Sequence, residues 1–434
     1  MVDFVKSIPE LRARVPVTQQ WAYFETASTG LVPDFVYDGV RRYLDDRYRK
    51  GGNSVWEFPG TSVETLEMMQ RSKVALGRMI HGAPDRITFG QSSTQLFTMV
   101  TEAVEYGPED NVVAVDRGWI GNRFAWQKRQ DEGLEVRYAV PENGAVTPEQ
   151  LMTLCDEHTR AVTVNLVESK TGYRIDMDRL SQMCRKRGLL LFVDGVQALG
   201  ALQVDVERWG VDLLVGNDYK WMMNFCGTGY AYISRRLQPL IRHWGAGWMS
   251  DDDRFNTGKA RLTLREDAGR FEIGYPHADG IYGLGLMAAQ YDMLSGVEVE
   301  RYVCGLADYF TARLAQTPWL RLAYDFPAEN RCQIVYIKVA AGCPVTDEML
   351  EKAGVFAHFE SPDENGERGM RLSFHLYNNT QDIDRFFSVF EAGGRYRHER
   401  VQSLSLGGRK DRTQWLALSG AVGGSRSRWP RWKG

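Results

Sequence analysis

The 434-residue chain lacks several features that would assign it to a membrane, secreted or metal-binding class. It has no apolar stretch as long as a membrane-spanning helix needs. Its six cysteines form no CxxC pair, and its seven histidines show no metal-ligand spacing. These absences argue against a zinc site and against a disulfide framework. We therefore expect a cytoplasmic protein with reduced thiols, no bound metal and no membrane partner.

The chain also lacks a strong charge of either sign. Its net charge of −3 gives no reason to expect a nucleic-acid partner. No P-loop is present, and the GxGxxA match at Gly283–Ala288 follows no predicted strand, so it indicates close helix packing instead. The length allows two domains around large buried cores.

Short apolar segments alternate with helical patterns between about residues 20 and 255. The predicted strands include Arg86–Gly90, Asn111–Val115, Ala161–Val164, Leu189–Val193 and Val211–Gly216. Near-continuous hydrophobicity over such lengths is typical of strands buried on both faces of a parallel sheet. The βαβ rhythm predicts an α/β fold with a doubly wound sheet.

The pattern changes beyond about residue 285 and predicts a smaller α+β domain. One long amphipathic helix covers Val299–Leu314, strands follow at Gln333–Val339 and Met370–Phe374, and another helix begins near Asp382. We therefore expect four parts. They are an N-terminal segment (1–20) packing on the small domain, a large domain (21–285), a small domain (286–394) and a basic, disordered tail (395–434).

Polar side chains follow the two central strands. Leu189–Val193 is followed by Asp194, and Val211–Gly216 is followed a few residues later by Lys220. Parallel sheets bind ligands at the carboxyl ends of their strands. An acid and a lysine so placed suit pyridoxal phosphate (PLP), since lysine forms a Schiff base and the acid keeps the pyridine nitrogen protonated. The alternative is that Asp194 caps a helix and Lys220 is solvated.

Two further segments could complete such a site. Ser93 and Thr94 lie between a predicted strand and an apolar helix, where backbone N–H groups and the positive helix end point at an anion. An ordinary helix cap is the alternative. Trp119 follows the strand Asn111–Val115, so its indole could stack on a pyridine ring, or else be a core or surface tryptophan.

Arg371 lies in a predicted strand with apolar neighbours. Arginine in such a place usually needs a planar anionic partner. A structural ion pair and a substrate carboxylate both remain open.

Taken together, these segments resemble the class V aminotransferase family of fold type I PLP-dependent enzymes. The family includes cysteine desulfurases, isopenicillin N epimerase and kynureninase. The resemblance spans roughly residues 20–390 and is strongest over Asp194–Gly200, Lys220-Trp221 and Gly227–Gly229. It implies a fold type I architecture, PLP as cofactor and a small-molecule amino-acid substrate.

The resemblance also implies a role for each candidate residue. Lys220 would be the catalytic Schiff-base lysine, Asp194 would pair with the pyridinium nitrogen, and Gln197 would approach the ring hydroxyl oxygen. Ser169 would be a further cofactor contact, and Arg371 would clamp the substrate carboxylate. Trp119 would stack on the ring, and the phosphate would be held by Ser93, Thr94, Asn217 and Tyr219.

The segment Glu272–Pro276 resembles the one by which a neighbouring subunit reaches the cofactor phosphate. It implies a homodimer with shared active sites. Tyr275, however, stands where a small hydroxylated residue is expected.

The chain departs from the family pattern before Arg371. Cysteine desulfurases carry a nucleophilic cysteine shortly before this arginine, and residues 355–368 contain none. We therefore expect transamination or C–S/C–C lyase chemistry without a persulfide on the enzyme. Tyr219 before the lysine resembles kynureninase, whereas Gln197 matches the desulfurase and epimerase side. A kynureninase-like hydrolase, an amino-acid epimerase and a catalytically silent scaffold are the alternatives.

Aromatic residues are frequent in the segments assigned to the site. They are Trp56, Trp119, Tyr173, Tyr219 and Tyr275. They favour a bulky or partly aromatic substrate.

Overall fold

A computed structural model describes residues 5–50, 65–116, 118–242, 245–256, 258–275 and 277–392. Trp56 and the tail 395–434 lie outside these residues. No helix within the described ranges combines the length and the apolar character that crossing a membrane requires.

The described residues form two main sheets and a short strand pair. In chain order the strands are β1 (Ala22–Tyr23), β2 (Ile87–Gly90), β3 (Asn111–Val115), β4 (Glu135–Ala139), β5 (Thr159–Asn165), β6 (Leu190–Asp194), β7 (Leu213–Asn217), β8 (Gly229–Ile233), β9 (Leu320–Leu322), β10 (Ile334–Val339), β11 (Val355–Phe356) and β12 (Arg368–Ser373). The large sheet has the order β2-β8-β7-β6-β5-β3-β4. Strands β3 to β7 run parallel, and β8 runs antiparallel to both of its neighbours.

Helices cover both faces of the large sheet and one side of the small one. In chain order they are α1 (Ile8–Ala13), α2 (Asp34–Lys50), α3 (Thr65–Ile80), α4 (Ser93–Ala103), α5 (Ile120–Asp131), α6 (Pro148–Thr153), α7 (Met177–Arg187), α8 (Val206–Trp209), α9 (Ala278–Leu294), α10 (Gly296–Leu314), α11 (Asp347–Lys352) and α12 (380–392). Local signals set their ends: Asp176 accepts the N–H of Arg179 at the start of α7, and Gly188 ends it at φ 68°.

Alternate residues of the central strands enter two different cores. Phe192 of β6 packs with Trp126 of α5, their rings stacked 6.3 Å apart, whereas Leu191 and Val193 belong to the core that contains Leu180 of α7. Every residue of β6, β7 and β8 is buried, which explains why these strands are almost continuously apolar. The predicted α/β fold with a mainly parallel, doubly wound sheet is confirmed.

The predicted smaller α+β domain is also present. Its antiparallel sheet has the order β12-β10-β9, and α10 and α12 contribute phenylalanines to its core. The ring of Phe310 in α10 lies 5.0 Å from that of Phe387 in α12. This sheet carries Arg371 on β12, directly opposite Tyr336 of β10.

The domain boundaries differ from the predicted ones at two places. Strand β1 pairs in parallel with β11, so Ala22 and Phe24 pack in the core of the small domain although they precede the large one. The predicted boundary at residue 285 falls inside α9, which packs against α2 and α3 and ends at Leu294. The first difference arises because β1 pairs with β11, more than 300 residues away in sequence, and a local sequence pattern cannot reveal such a partner.

The N-terminal segment contacts both domains. Val5 and Leu11 belong to the core of the large domain, whereas Arg12 forms an ion pair of 2.7 Å with Asp382 of α12.

The glycines of the GxGxxA match lie inside α9, in close packing. A Cβ on Gly285 would lie 2.2 Å from the hydroxyl oxygen of Ser72 in α3, and one on Gly283 would lie 2.2 Å from Oδ1 of Asn224. The structure thus agrees with helix packing as their role.

Candidate active site

Three parallel strands bring the candidate residues to one edge of the large sheet. Asn165, the last residue of β5, lies opposite Asp194, the last residue of β6. Strand β7 ends at Asn217, and Lys220 follows three residues later. The acid and the lysine therefore lie at the carboxyl edge, where open parallel sheets bind ligands.

Lys220 is a buried amine between aromatic rings. The residue is only 6% exposed, which rules out a solvated lysine. Its Nζ lies 5.2 Å from the ring centroid of Trp119 and 5.9 Å from that of Tyr219. Burial lowers the pKa of Lys220 to about 8; the negative charge of Asp194 opposes this shift, and the positive charge of Arg371 adds to it. The amine is thus partly neutral, and so nucleophilic, close to neutral pH.

Asp194 is a buried carboxylate held by three donors. Its Oδ2 accepts hydrogen bonds from Nδ2 of Asn122 at 2.6 Å and of Asn165 at 3.2 Å, and its Oδ1 accepts the N–H of Val196 at 2.9 Å. Burial raises its pKa, although the bonds from Val196 and Asn122 oppose that shift. A buried carboxylate in this position favours a cationic N–H partner. The alternative role of Asp194 as a cap accounts only for its Oδ1 atom, which accepts a backbone N–H from the turn after β6.

Asn122 and Asn165 were not among the residues predicted from the sequence. Asn165 ends a predicted strand, the same position that drew attention to Asn217, so a signal was present. Asn122 lies in the first turn of α5 and reaches Asp194 only because α5 packs on the sheet.

Helix α4 presents its N-terminus to the same edge. Ser92 is the cap, since its hydroxyl accepts the N–H of Gln95 at 3.1 Å, so the cap alternative fits Ser92 rather than Ser93 or Thr94. A Cβ on Gly229 would lie 2.5 Å from the backbone nitrogen of Ser93, which means that only glycine lets β8 pass this close. The first N–H groups of the helix lack intrahelical partners and form a cradle for an anion.

Trp119 and Thr94 lie side by side. A Cβ on Gly121 would lie 2.8 Å from both the hydroxyl oxygen of Thr94 and Nε1 of Trp119. The indole is 42% exposed, so it is not a core residue. The indole face, the Thr94 hydroxyl and the Lys220 amine therefore border one space.

Arg371 of the small domain is held by acceptors from other segments. Its Nη1 donates to the carbonyl oxygen of Ser169 at 2.8 Å, its Nη2 donates to Oγ of Ser28, and Nη2 lies 3.8 Å from Oε2 of Glu25. A loose ion pair is thus present. The loop 25–30 binds Arg371 through Ser28 and contacts the Lys220 backbone at Gly30, so the guanidinium and the lysine border the same loop.

Three of the other predicted residues lie nearby. Gln197 is buried, with its Nε2 donating to the carbonyl oxygen of Ala27 at 3.0 Å and its Oε1 accepting from Nε1 of Trp221 at 2.8 Å. Asn217 is buried, and Tyr219 lies near it, with its pKa raised by burial.

Tyr275 lines a cavity of about 670 Å³ beside the start of α4. The cavity is also lined by Gly90, Gln91, Gln95, Cys226 and His277. Tyr173, another aromatic assigned to the site, packs in the core beside Phe326.

The N-terminal loop, residues 25–30, is a wall of the site that was not predicted from the sequence. The N–H of Gly30 donates to the carbonyl oxygen of Tyr219 at 2.8 Å, and a Cβ on Gly30 would lie 1.9 Å from the carbonyl oxygen of Lys220. The same loop supplies Glu25 and Ser28 to Arg371. The run of small and hydroxylated residues after the strand at residues 21–24 was the available signal.

These residues fit PLP. Lys220 offers a buried nucleophilic amine, and Asp194 a buried carboxylate for a pyridinium N–H. The start of α4 at Ser93 and Thr94 offers the anion cradle that Gly229 keeps open, and Trp119 offers a flat ring.

Comparisons with known proteins agree with this assignment. The family model described as aminotransferase class V matches residues 22–386. A cysteine desulfurase of Pectobacterium atrosepticum is 26% identical over 383 residues, which cover 85% of this chain and 91% of that protein. An uncharacterised aminotransferase of Bacillus subtilis is 23% identical over 385 residues, which cover 87% and 96% of the two chains.

Solved structures share the fold. The cysteine desulfurase of Thermococcus onnurineus NA1 superimposes with a TM-score of 0.75 at 18% identity, covering 90% of this chain and 99% of that one. A cystine C–S lyase, solved with its product cysteine persulfide, also gives 0.75 at 18% identity, covering 87% and 98%. The chain therefore belongs to the class V aminotransferase family and is a PLP-dependent enzyme.

Proposed function

We propose that the enzyme acts on an amino acid through Lys220, by transamination or by C–S or C–C lyase chemistry, and without a persulfide on its own cysteines. The observation that carries the proposal is the buried amine of Lys220 at the same edge of the sheet as the carboxylate of Asp194, with the Arg371 guanidinium held by the adjacent loop 25–30. When bound there, PLP draws electrons from the substrate Cα and so stabilises the charge left when a bond at Cα breaks.

Arg371 binds the substrate carboxylate. Ser169 and Ser28 each take one N–H from a different terminal nitrogen of the guanidinium. Each terminal nitrogen of arginine carries two N–H groups, so one N–H on each nitrogen remains for a carboxylate. The two acceptors come from the large domain and the N-terminal loop, and they fix the direction of these two N–H groups.

Lys220 moves the proton at the substrate Cα. With a pKa of about 8, the amine accepts a proton near neutral pH and returns it without a large penalty in either direction. Asp194 remains a hydrogen-bond acceptor at the sheet edge because Asn122, Asn165 and Val196 donate to it. The loop 25–30 lies against the Lys220 backbone and limits the access of water from that side.

The absence of an enzyme persulfide is supported by the cysteines. The stretch 355–368 before Arg371 contains none, and its residue nearest the clamp network is Glu360. Cys332 and Cys343 are buried, and burial raises the pKa of both thiols, as it does for the exposed Cys226. Thiols with raised pKa values are poor nucleophiles near neutral pH. The desulfurase names of the relatives make persulfide formation the competing function to test.

The first experiment combines absorbance and mass spectrometry on the purified protein with PLP. We expect a visible chromophore that borohydride fixes covalently to the Lys220 peptide and that Lys220→Arg, which keeps the charge, does not form. A panel of amino acids should then give an oxo acid, alanine or sulfide as product, with no sulfur added to any cysteine. A protein that binds no PLP, or that carries sulfur on a cysteine after reaction with cysteine, contradicts the proposal.

Kynureninase-like hydrolysis is a second candidate. It is favoured by Tyr219, which precedes the lysine and whose ring lies 5.9 Å from Nζ. Adding kynurenine to the panel and assaying anthranilate distinguishes it from the first.

We further propose a homodimer. Ile273 and Tyr275 are about half exposed beside the 670 Å³ cavity at the start of α4, where a second copy would cover them. Sedimentation of the holoenzyme at the mass of one chain would contradict this.

A further inference from the structure

Four cationic side chains on or beside the face of the small sheet that carries Arg371 are each matched by a carboxylate; one of them, Arg321 of β9, lies opposite Lys338 and pairs with Glu367. Arg371 lies 3.8 Å from Glu25, Lys170 lies 2.9 Å from Glu360, and Lys338 lies 2.6 Å from Asp363. The carboxylates come from the N-terminal loop and from the stretch before β12, two segments remote in sequence.

The Lys170–Glu360 pair is adjacent to the clamp. Lys170 follows Ser169, whose carbonyl oxygen holds Arg371. Tyr336, the cross-strand partner of Arg371, donates its hydroxyl to Oε2 of Glu360 at 2.7 Å, and Lys170 Nζ lies 5.1 Å from the Tyr336 ring. Lys170 is therefore the cation best placed to meet a second acidic group of a substrate held by Arg371.

A row of aromatic rings extends from this pair. The Tyr336 ring lies 6.0 Å from that of Tyr324, which stacks 5.9 Å from Phe326, and Phe326 lies 5.2 Å from Tyr173. This row of rings runs from the clamp towards the core. The rings offer apolar contact, and the charged neighbours Asp325 and Arg331 pair with each other beside them.

Glu25 acts on Arg371 through Ser28. The hydroxyl of Ser28 accepts from Nη2 of Arg371 and donates to Oε2 of Glu25 at 3.1 Å. The carboxylate, in a side chain only 14% exposed, thereby reduces the net positive charge of the clamp. One substrate carboxylate can still bind, whereas a second one would meet Glu25 or Glu360 at close range, and like charges in contact are unfavourable.

We propose that the site selects amino acids with a single carboxylate over dicarboxylic ones, and that Glu25 and Glu360 impose this selection by neutralising part of the positive charge of Arg371 and Lys170. The inference rests on the proposed function and specifies its substrate class. Aspartate, glutamate and other dicarboxylic amino acids are rejected because Arg371 takes the α-carboxylate, and the other cations on this face, Lys170, Lys338 and Arg321, are already paired.

The test compares isosteric substrates on the PLP-loaded enzyme. Glutamine against glutamate, and asparagine against aspartate, differ in charge and hardly in size. For each we measure the dissociation constant from the change in the cofactor spectrum, and kcat/KM where turnover occurs. We expect a preference of at least about tenfold for the amide in each pair.

Substitutions at Glu360 and Glu25 test whether these two carboxylates cause the preference for amides. Glu360→Gln frees Lys170 and should raise the glutamate-to-glutamine ratio of kcat/KM by about tenfold, and Lys170→Gln in that background should remove the gain. Glu25→Gln keeps an acceptor for Ser28 but removes the charge, so it should lower KM for amino acids, whereas Glu25→Ala, which releases Ser28, should raise it. Glu364→Gln, an exposed carboxylate in the same stretch as Glu360, is the matched control and should leave the ratio unchanged.

The outcomes separate the inference from the function. Equal binding of acids and amides, or a ratio that Glu360→Gln does not move in a variant with wild-type circular dichroism, overturns the inference and leaves the proposed function standing. A protein that reacts with no amino acid overturns both.

Discussion

Nδ2 of Asn122 lies 2.6 Å from Oδ2 of Asp194, so a side chain in the first turn of α5 fixes the carboxylate at the end of β6. The bond is shorter than the one from Asn165, at 3.2 Å to the same oxygen. A hydrogen-bond donor stabilises the charged form of a buried carboxylate, and the charged carboxylate can then bind a cationic partner. Asn122 is therefore a positioning residue for Asp194.

Asn122→Leu should weaken the site while leaving the fold intact. The substitution removes a hydrogen bond to a charged group, worth roughly 1.5–3 kcal/mol, and so raises the pKa of Asp194 further. We expect a loss of about tenfold to a hundredfold in kcat/KM, together with weaker PLP binding. Steady-state kinetics and equilibrium dialysis with PLP measure the two effects.

Asn165→Leu is the internal comparison because its bond is longer. It should produce the same kind of loss to a smaller extent. An Asn122→Leu enzyme with wild-type kinetics would show that Asn122 does not support Asp194.

The amine of Lys220 should titrate near pH 8 in the apoenzyme. Burial lowers its pKa from 10.5 to about 8 because the charged form is poorly solvated. Only the neutral amine reacts with acylating reagents, so the labelling rate of the Lys220 peptide should rise with pH to a midpoint of about 8. Removing the positive charge of Arg371, as in Arg371→Gln, should move the midpoint upward. Quantitative mass spectrometry of labelled peptides follows both.

The same shift affects the stability of the apoenzyme. Between about pH 8 and 10.5 the unfolded chain holds the Lys220 proton more tightly than the folded one, so the contribution of this group to stability rises with pH across that window. Lys220→Met should therefore stabilise the apoenzyme more at about pH 7 than at about pH 10. A pH-independent difference, or labelling with a midpoint close to the ordinary 10.5, would be incompatible with a buried amine.

Lys73 and Glu272 form a buried ion pair next to β2, the strand that precedes α4. Nζ of Lys73 lies 2.8 Å from Oε1 of Glu272, which also accepts the N–H of Phe89 at 3.2 Å, and the two side chains are 6% and 5% exposed. Lys73→Met leaves the carboxylate buried without this partner. We expect a loss of about 3–5 kcal/mol in the free energy of unfolding, measured by urea denaturation of the holoenzyme.

A second substitution tests the cause of that loss. Lys73→Met combined with Glu272→Leu replaces the pair by apolar groups and should recover much of the stability. Lys352→Met breaks the pair with Glu348 on α11, where both side chains are about three-quarters exposed, and should change nothing measurable. Equal effects at the buried and the exposed pair would refute the argument from burial.

The strands were predictable where their residue types directly reflect burial. Strands β6 and β7 are almost entirely apolar because both of their faces are covered, and the predicted segments match them closely. Strand β4 went unpredicted because it lies at the edge of the sheet and contains Glu135 and Arg137, so it carries no such signal. Strand β1 was assigned to the wrong core because its partner is β11.

The residues of the candidate site likewise fall into those that the sequence could predict and those that it could not. Asp194 and Lys220 could be found from the strands that they follow, since a strand end is a local feature. Asn122 and Glu25 could not be found, because each acts through a contact with a residue 72 or more positions away that only packing creates. The strand ends thus predict Asp194 and Lys220 as candidates. Asn165, at the end of β5, was missed although the same signal was present, and the residues that reach the site from other elements carry no local signal.

The close approach of Gly30 to Lys220 gives the last prediction. A Cβ on Gly30 would lie 1.9 Å from the carbonyl oxygen of Lys220, and its nearest neighbours are backbone atoms that cannot turn away. Gly30→Ala should therefore shift the loop 25–30 or the Lys220 backbone and reduce PLP affinity at least about tenfold. Gly305→Ala is the matched control. Gly305 is exposed in the middle of α10, where a Cβ would meet no atom within 4 Å, so alanine there should raise the free energy of unfolding by roughly 0.5–1 kcal/mol without affecting PLP. A Gly30→Ala protein with unchanged PLP affinity would mean that the N-terminal loop does not wall the site.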